Sequence, residues 1–252
     1  MEYACNRCGQ TVDKIIALGD ATEIRESFQI WFRTYFSIQH IQASALFARK
    51  AYQLEQQYSL NNAGTVLSEH EAYVTGAIFS SVSFLEANIN ELYSDCADSH
   101  QKNGLDSQTI AIMGKLWNRG ILRPARLLEK YELALDIASR EGFDRGSSPY
   151  QDVKLLIELR NSLIHYKPET ILARATPPSD VNELHKIEKR LKGKFQINPL
   201  AAPGNPFYPD KCLGHGCAQW AVNKSMEFAD LFYVKMGVKP PYDHVRDQTK
   251  AV

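Results

Sequence analysis

No run of about 18 apolar residues occurs in this 252-residue chain, and without one a helix cannot cross the hydrocarbon core of a bilayer. The most apolar region, YVTGAIFSSVSFLEANI, is broken by serines and runs into a carboxylate. No membrane partner is expected. Net charge is lacking as well, since 29 Lys+Arg oppose 29 Asp+Glu. That balance excludes the broad basic field of a general nucleic-acid coat protein, yet leaves room for a local basic site. Cysteine is scarce, five in all. The opening MEYACNRCGQTVDK carries charges throughout and no apolar core of an export signal. Reduced thiols in a cytoplasmic protein are therefore expected, in place of a disulfide framework. Strand-like alternation is scarce and no internal repeat is found, which directs the reading to helices.

Helical patterns are what the chain has. Residues 23–59 hold no Pro or Gly and predict one long helix or two in succession, ending at the Asn61-Asn62-Ala63-Gly64 turn. A further helix is expected from Ser68, with Glu71 at capping-box spacing from it. Ile78, Val82, Leu85, Ile89 and Leu92 recur at steps of three and four and define its buried face. Shorter helices are expected at 107–117 and 124–139, and another at 150–167, where Leu155, Leu156, Leu159 and Leu163 form a stripe. From Pro168 to Lys211 the periodicity degrades, and a last helix at about 217–236 turns Trp220, Val222, Met226, Ala229 and Phe232/Tyr233 toward a partner surface. The expected architecture is a single all-α domain over residues 1–252. It is a helical bundle with an irregular insertion, 168–211, before the C-terminal helix.

Three polar residues interrupt the helix at 150–167. Asn161 and His165 stand four apart and share a face, and the long side chain of Arg160 can swing toward them from one step round. Pro168 disfavours helix at Lys167, so His165 falls in the last turn. There the helix dipole favours an imidazolium. An arginine that forks onto a phosphate and a histidine that trades protons suit phosphodiester cleavage. No metal is required when the nucleophile is the RNA 2′-hydroxyl, because the arginine holds the charge that builds on phosphorus. Residues of these types near a helix end also serve simply as caps or as solvated surface.

The stretch R-N-x-x-x-H-Y, late in a helix of an all-α chain, resembles the signature of the HEPN superfamily, an Arg followed after four to six residues by a His. Arg160 and His165 fit it with four residues between, and Asn161 matches the polar residue that commonly follows the arginine. The resemblance covers about 37–167. It implies a four-to-five-helix up-and-down, HEPN-like bundle that dimerises so that two motifs face each other. In many members it also implies metal-independent endoribonuclease activity, often in toxin–antitoxin or phage-defence settings with an antitoxin or regulatory protein as partner. Arg160, Asn161 and His165 would then be catalytic on an RNA substrate, Tyr166 supporting, and Lys167 a substrate-binding cation. Other members bind nucleotides or act as non-catalytic partners.

Further features surround this motif. Glu86 and Asn90, four apart on an otherwise apolar helix, are candidate supporting residues that orient the arginine or histidine, or plain interhelical hydrogen-bonding groups. No cofactor is expected, although Cys5, Cys8, Cys212, His215 and Cys217 supply five soft ligands where a structural zinc needs four. Free thiols are the simpler expectation for these positions. The run 185–194, HKIEKRLKGK, carries five Lys/Arg against one Glu and reads as an RNA-backbone contact or as a solvated face. Two functions fit the whole: a homodimeric endoribonuclease, or a non-catalytic interaction or nucleotide-binding protein of the same fold. Arg160 and His165 open to solvent favour the first; His165 buried against a carbonyl favours the second.

Overall fold

The computed structural model describes residues 33–59, 62–98, 104–167 and 186–252. All regular structure in these residues is helical, as the periodicity predicts, and no strand occurs among them. Seven helices follow in order: α1 Phe36–Gln57, α2 Leu67–Ala97, α3 Ser107–Asn118, α4 Leu127–Ile137, α5 Tyr150–Ile164, α6 Lys186–Leu191 and α7 His215–Met236.

Helix α1 pairs along α2 through small residues. Ala45, Ala48 and Ala51 are fully buried, and Ser44 Oγ donates to the Ala77 carbonyl at 2.8 Å. The face foreseen on α2 is the one that is buried: Ile78, Val82, Leu85, Ile89 and Leu92 are nearly inaccessible. The start of α2 differs from expectation. Its N-cap is Val66 with no side-chain cap, so Ser68 and Glu71 lie inside the helix and form no capping box. Helix α3 is capped as sequence rules suggest, by Asp106 accepting from the Thr109 amide at 2.9 Å. Gly114 lets α3 approach closely, since a Cβ there would meet the Cys96 carbonyl oxygen at 2.7 Å. Helix α4 begins three residues after Pro124, where Glu129 accepts from the Arg126 amide at 2.9 Å.

Helix α7 is part of the core rather than an appendage to it, lying against α1, α2 and α5. Its Phe228 and Phe232 meet the Tyr131 ring edge-on at 5.0 and 4.7 Å, a favoured aromatic geometry. Buried Asn88 joins three helices, accepting from the Tyr233 hydroxyl at 2.7 Å and donating to the Tyr131 hydroxyl at 3.4 Å. Gly237 ends α7 at φ 72°, a left-handed cap that glycine takes without strain. Beyond it a turn of 3-10 helix, Asp243–Thr249, buries Val245 and packs on α1. Apolar periodicity does not mark this segment in the sequence.

Candidate functional site

Helix α5 is held by Val153, Leu155, Leu156 and Leu159, all buried. Its last turn then leaves the core. Leu163 is half-buried, while Asn161, Ile164, His165, Tyr166 and Lys167 are exposed. His165 is the C-cap, and its amide donates to the Asn161 carbonyl at 2.9 Å. That bond keeps the His165 backbone one helical turn from Asn161, so the two side chains are neighbours at an open helix end. Arg160 is half-buried, and its Nε is buried without a hydrogen-bond partner. Among the described residues neither the Arg160 guanidinium nor the His165 imidazole has an ion-pair or hydrogen-bond partner. The arginine's donors are thus uncommitted, and His165 is not buried against a carbonyl. Pro168, which sets the expected helix end, lies outside the described residues.

Glu86 and Asn90 are not brought to this site. Both face Lys130 of α4, whose Nζ donates to Glu86 Oε1 at 2.5 Å and to Asn90 Oδ1 at 3.1 Å. Lys130 is only 5% exposed, so Glu86 neutralises a buried ammonium and Asn90 gives it a second acceptor. The end of α5 meets the other end of α2: Leu163 and Tyr166 share a cleft with Leu67 and Glu71. Glu86 follows Glu71 by fifteen residues along one helix, about 22 Å of rise. The expectation that Glu86 orients Arg160 or His165 fails on that separation.

The cleft at the end of α5 has a volume of about 500 Å³. Tyr166, 45% exposed, stands in its wall with Leu163, Glu71, Asn198, Asn205 and Asp210. Burial raises the Asp210 carboxyl above its ordinary value, an effect that Lys211 partly offsets. The segment carrying Asp210 is tied to α5 by Tyr208, whose hydroxyl donates to Ser162 Oγ at 2.9 Å. Neither residue is singled out by the sequence, because the 168–211 stretch has no periodicity to read.

The remaining candidates are engaged elsewhere. The described part of the basic run folds back on α5: Arg190 pairs with Glu158, and Lys194 Nζ reaches Asp152 Oδ1 at 2.6 Å. With Ile187 and Leu191 buried, α6 is a strap on the bundle. Burial pushes the Cys212 thiol up to about 12 and the Cys217 thiol well above its ordinary value. Cys212 Sγ meets the Pro209 carbonyl at 3.2 Å, and buried His215 donates from Nδ1 to the Ala48 carbonyl at 3.1 Å. Among the described residues no three His, Cys, Asp or Glu side chains gather as metal ligands. Cys5 and Cys8 lie outside the described residues. No helix of the described residues is long and apolar enough to cross a membrane.

No family model, curated protein or solved structure matches the chain.

Proposed function

We propose that the chain is a HEPN-like, metal-independent endoribonuclease that acts as a homodimer, with Arg160, Asn161 and His165 at a composite site between two copies. The observation that carries this reading is the state of the α5 terminus. A solvent-exposed histidine sits beside an arginine whose donors have no partner among the described residues. In a purely structural role those groups would cap carbonyls or pair with carboxylates, as Lys130, Arg190 and Lys194 do.

The chemistry follows from the residues. The 2′-hydroxyl of the RNA attacks the adjacent phosphorus and loses its proton to one imidazole. The P–O5′ bond breaks, and the departing oxygen takes a proton from the His165 of a second copy. Arg160 donates to the phosphoryl oxygens, where charge accumulates, and exposed Lys167 adds attraction for the backbone. Asn161, beside His165, orients the imidazole or a phosphate oxygen. Products carry 2′,3′-cyclic phosphate and 5′-hydroxyl ends. An unrestrained activity of this kind belongs in a toxin or phage-defence setting, with an antitoxin or regulatory protein to hold it in check.

Purified parent, Arg160→Ala and His165→Ala proteins, incubated with labelled transfer RNA and a mixed RNA pool in EDTA, test the proposal. Each variant should lose cleavage by about 100-fold or more while keeping its circular dichroism and oligomeric state. If the parent is dimeric and folded yet inert on both, the non-catalytic interaction or nucleotide-binding reading replaces it.

A further inference from the structure

The cleft at the end of α5 is lined by two carboxylates, Asp210 and Glu71, and by the amides of Asn198 and Asn205. Among the described residues, the carboxylates of Asp210 and Glu71 make no ion pair and no side-chain hydrogen bond. Lys211, the nearest cation in sequence, gives its Nζ to the Pro203 carbonyl at 2.6 Å. The amide nitrogen of Asn198 is already turned to the Asp210 carbonyl at 3.4 Å. Asp210 is half-buried and Glu71 exposed, so Asp210 is the acceptor best screened from water and Glu71 lies toward solvent. Tyr166 presents an aromatic ring at 45% exposure. Leu163, Leu200 and Leu213 supply apolar surface. At about 500 Å³ the cleft lies within the range of small-ligand sites, roughly 300–1,000 Å³.

An aromatic wall and a half-buried carboxylate select among flat, hydrogen-bonding molecules. Every base can stack on tyrosine, so stacking does not discriminate. The carboxylate does. Guanine alone places two donors side by side, N1–H and the N2 amine, matching the two oxygens of a carboxylate. Adenine and cytosine each offer one amine next to an acceptor nitrogen, and uracil flanks its single N–H with two carbonyls. Each of those acceptors would face the Asp210 charge, a repulsive contact that leaves both groups without a donor. Paired donors would also relieve the burial that raises the Asp210 carboxyl.

We infer that this cleft is a base subsite for guanine, with Asp210 accepting from N1–H and the N2 amine and Tyr166 stacking on the ring. The inference rests on the ribonuclease reading for its substrate and gives that site its sequence preference. Tyr166 follows His165 directly in the chain, so a guanine stacked on it has its ribose and phosphate toward the end of α5.

Calorimetric titration of the full chain with GMP, IMP and AMP tests the subsite without any cleavage. IMP differs from GMP only by the missing N2 amine. GMP should bind about tenfold or more tighter than either, the range for one hydrogen bond to a charged group. Asp210→Asn, folded as judged by its melting midpoint, should bind all three alike. His165→Ala should keep the GMP preference. Equal affinity of the parent for the three nucleotides, or no binding of GMP, overturns the inference. GMP selectivity in a protein that cleaves no RNA supports the subsite and removes the ribonuclease. Cleavage with no preference among the three nucleotides does the reverse.

Discussion

Tyr208 donates to Ser162 Oγ at 2.9 Å, and Ser162 in turn donates to the Leu159 carbonyl at 2.8 Å. This pair fastens the segment that precedes α7 to the last turn of α5, and with it Asp210 to the neighbourhood of His165. Tyr208→Phe removes the donor and leaves the Ser162 bond to Leu159 in place. The expected cost is about 1 kcal/mol, the net worth of one such bond, or a fall of about 2–4 °C in melting midpoint for a chain this size. Cleavage should suffer more through KM than through kcat, because the cleft is loosened while Arg160 and His165 stay on α5. An unchanged melting midpoint would show that other contacts hold the segment.

Glu86 and Lys130 give a prediction of the opposite kind. Glu86→Gln keeps an acceptor for the Lys130 ammonium, and Glu86 is 41% exposed. The variant should therefore lose less than about 1 kcal/mol and retain full RNA cleavage. Lys130→Ala removes a buried stem as well as a donor to two residues, and should cost about 2 kcal/mol. Loss of cleavage in a stable Glu86→Gln protein would contradict the separation of these residues from the α5 terminus.

The buried tyrosines set an alkaline limit. Burial raises the Tyr131, Tyr233 and Tyr242 hydroxyls above the ordinary phenol range, the charge of Asp230 adding to the effect at Tyr242. Their native pKa values exceed the unfolded ones, so above the unfolded value the native state holds protons that the unfolded chain has released. Stability from these groups is complete below about pH 10 and falls as pH rises beyond it. Urea midpoints measured against pH should show this decline, with tyrosinate absorbance from these residues appearing only as the chain unfolds. Rapid titration of all the tyrosines in folded protein would contradict it.

Cys212 and Cys217 should resist thiol reagents in the native state. Both are buried and their thiolates disfavoured, and it is the thiolate that reacts. Denaturant should expose them to rapid labelling. Fast labelling of either one without denaturant would mean that the start of α7 opens readily.

The sequence reveals the bundle more readily than the site, for a physical reason. Apolar spacing reports which face of a helix is buried, so the α2 stripe from Ile78 to Leu92 and the aromatic face of α7 could be read directly. It does not report partners across the fold. Glu86 and Asn90 read either as site residues or as interhelical hydrogen-bonding groups, and the fold shows the second; their partner Lys130 lies about forty residues away on α4 and carries no mark of burial in the sequence. Ser68 and Glu71 have capping-box spacing, yet the helix starts at Leu67 because the backbone turns there without a side-chain cap. Arg160, Asn161 and His165 are legible through their type and spacing alone. Asp210 and Tyr208 sit in a segment without periodicity, and only the folded chain brings them to α5.

The most direct test of the central claim is end-group analysis of one labelled RNA treated, in EDTA, with parent protein and with His165→Ala. The account predicts fragments from the parent alone, each with a 2′,3′-cyclic phosphate on one side of the cut and a 5′-hydroxyl on the other. Equal cleavage by the variant, or parent fragments ending in 3′-hydroxyl and 5′-phosphate, would contradict it.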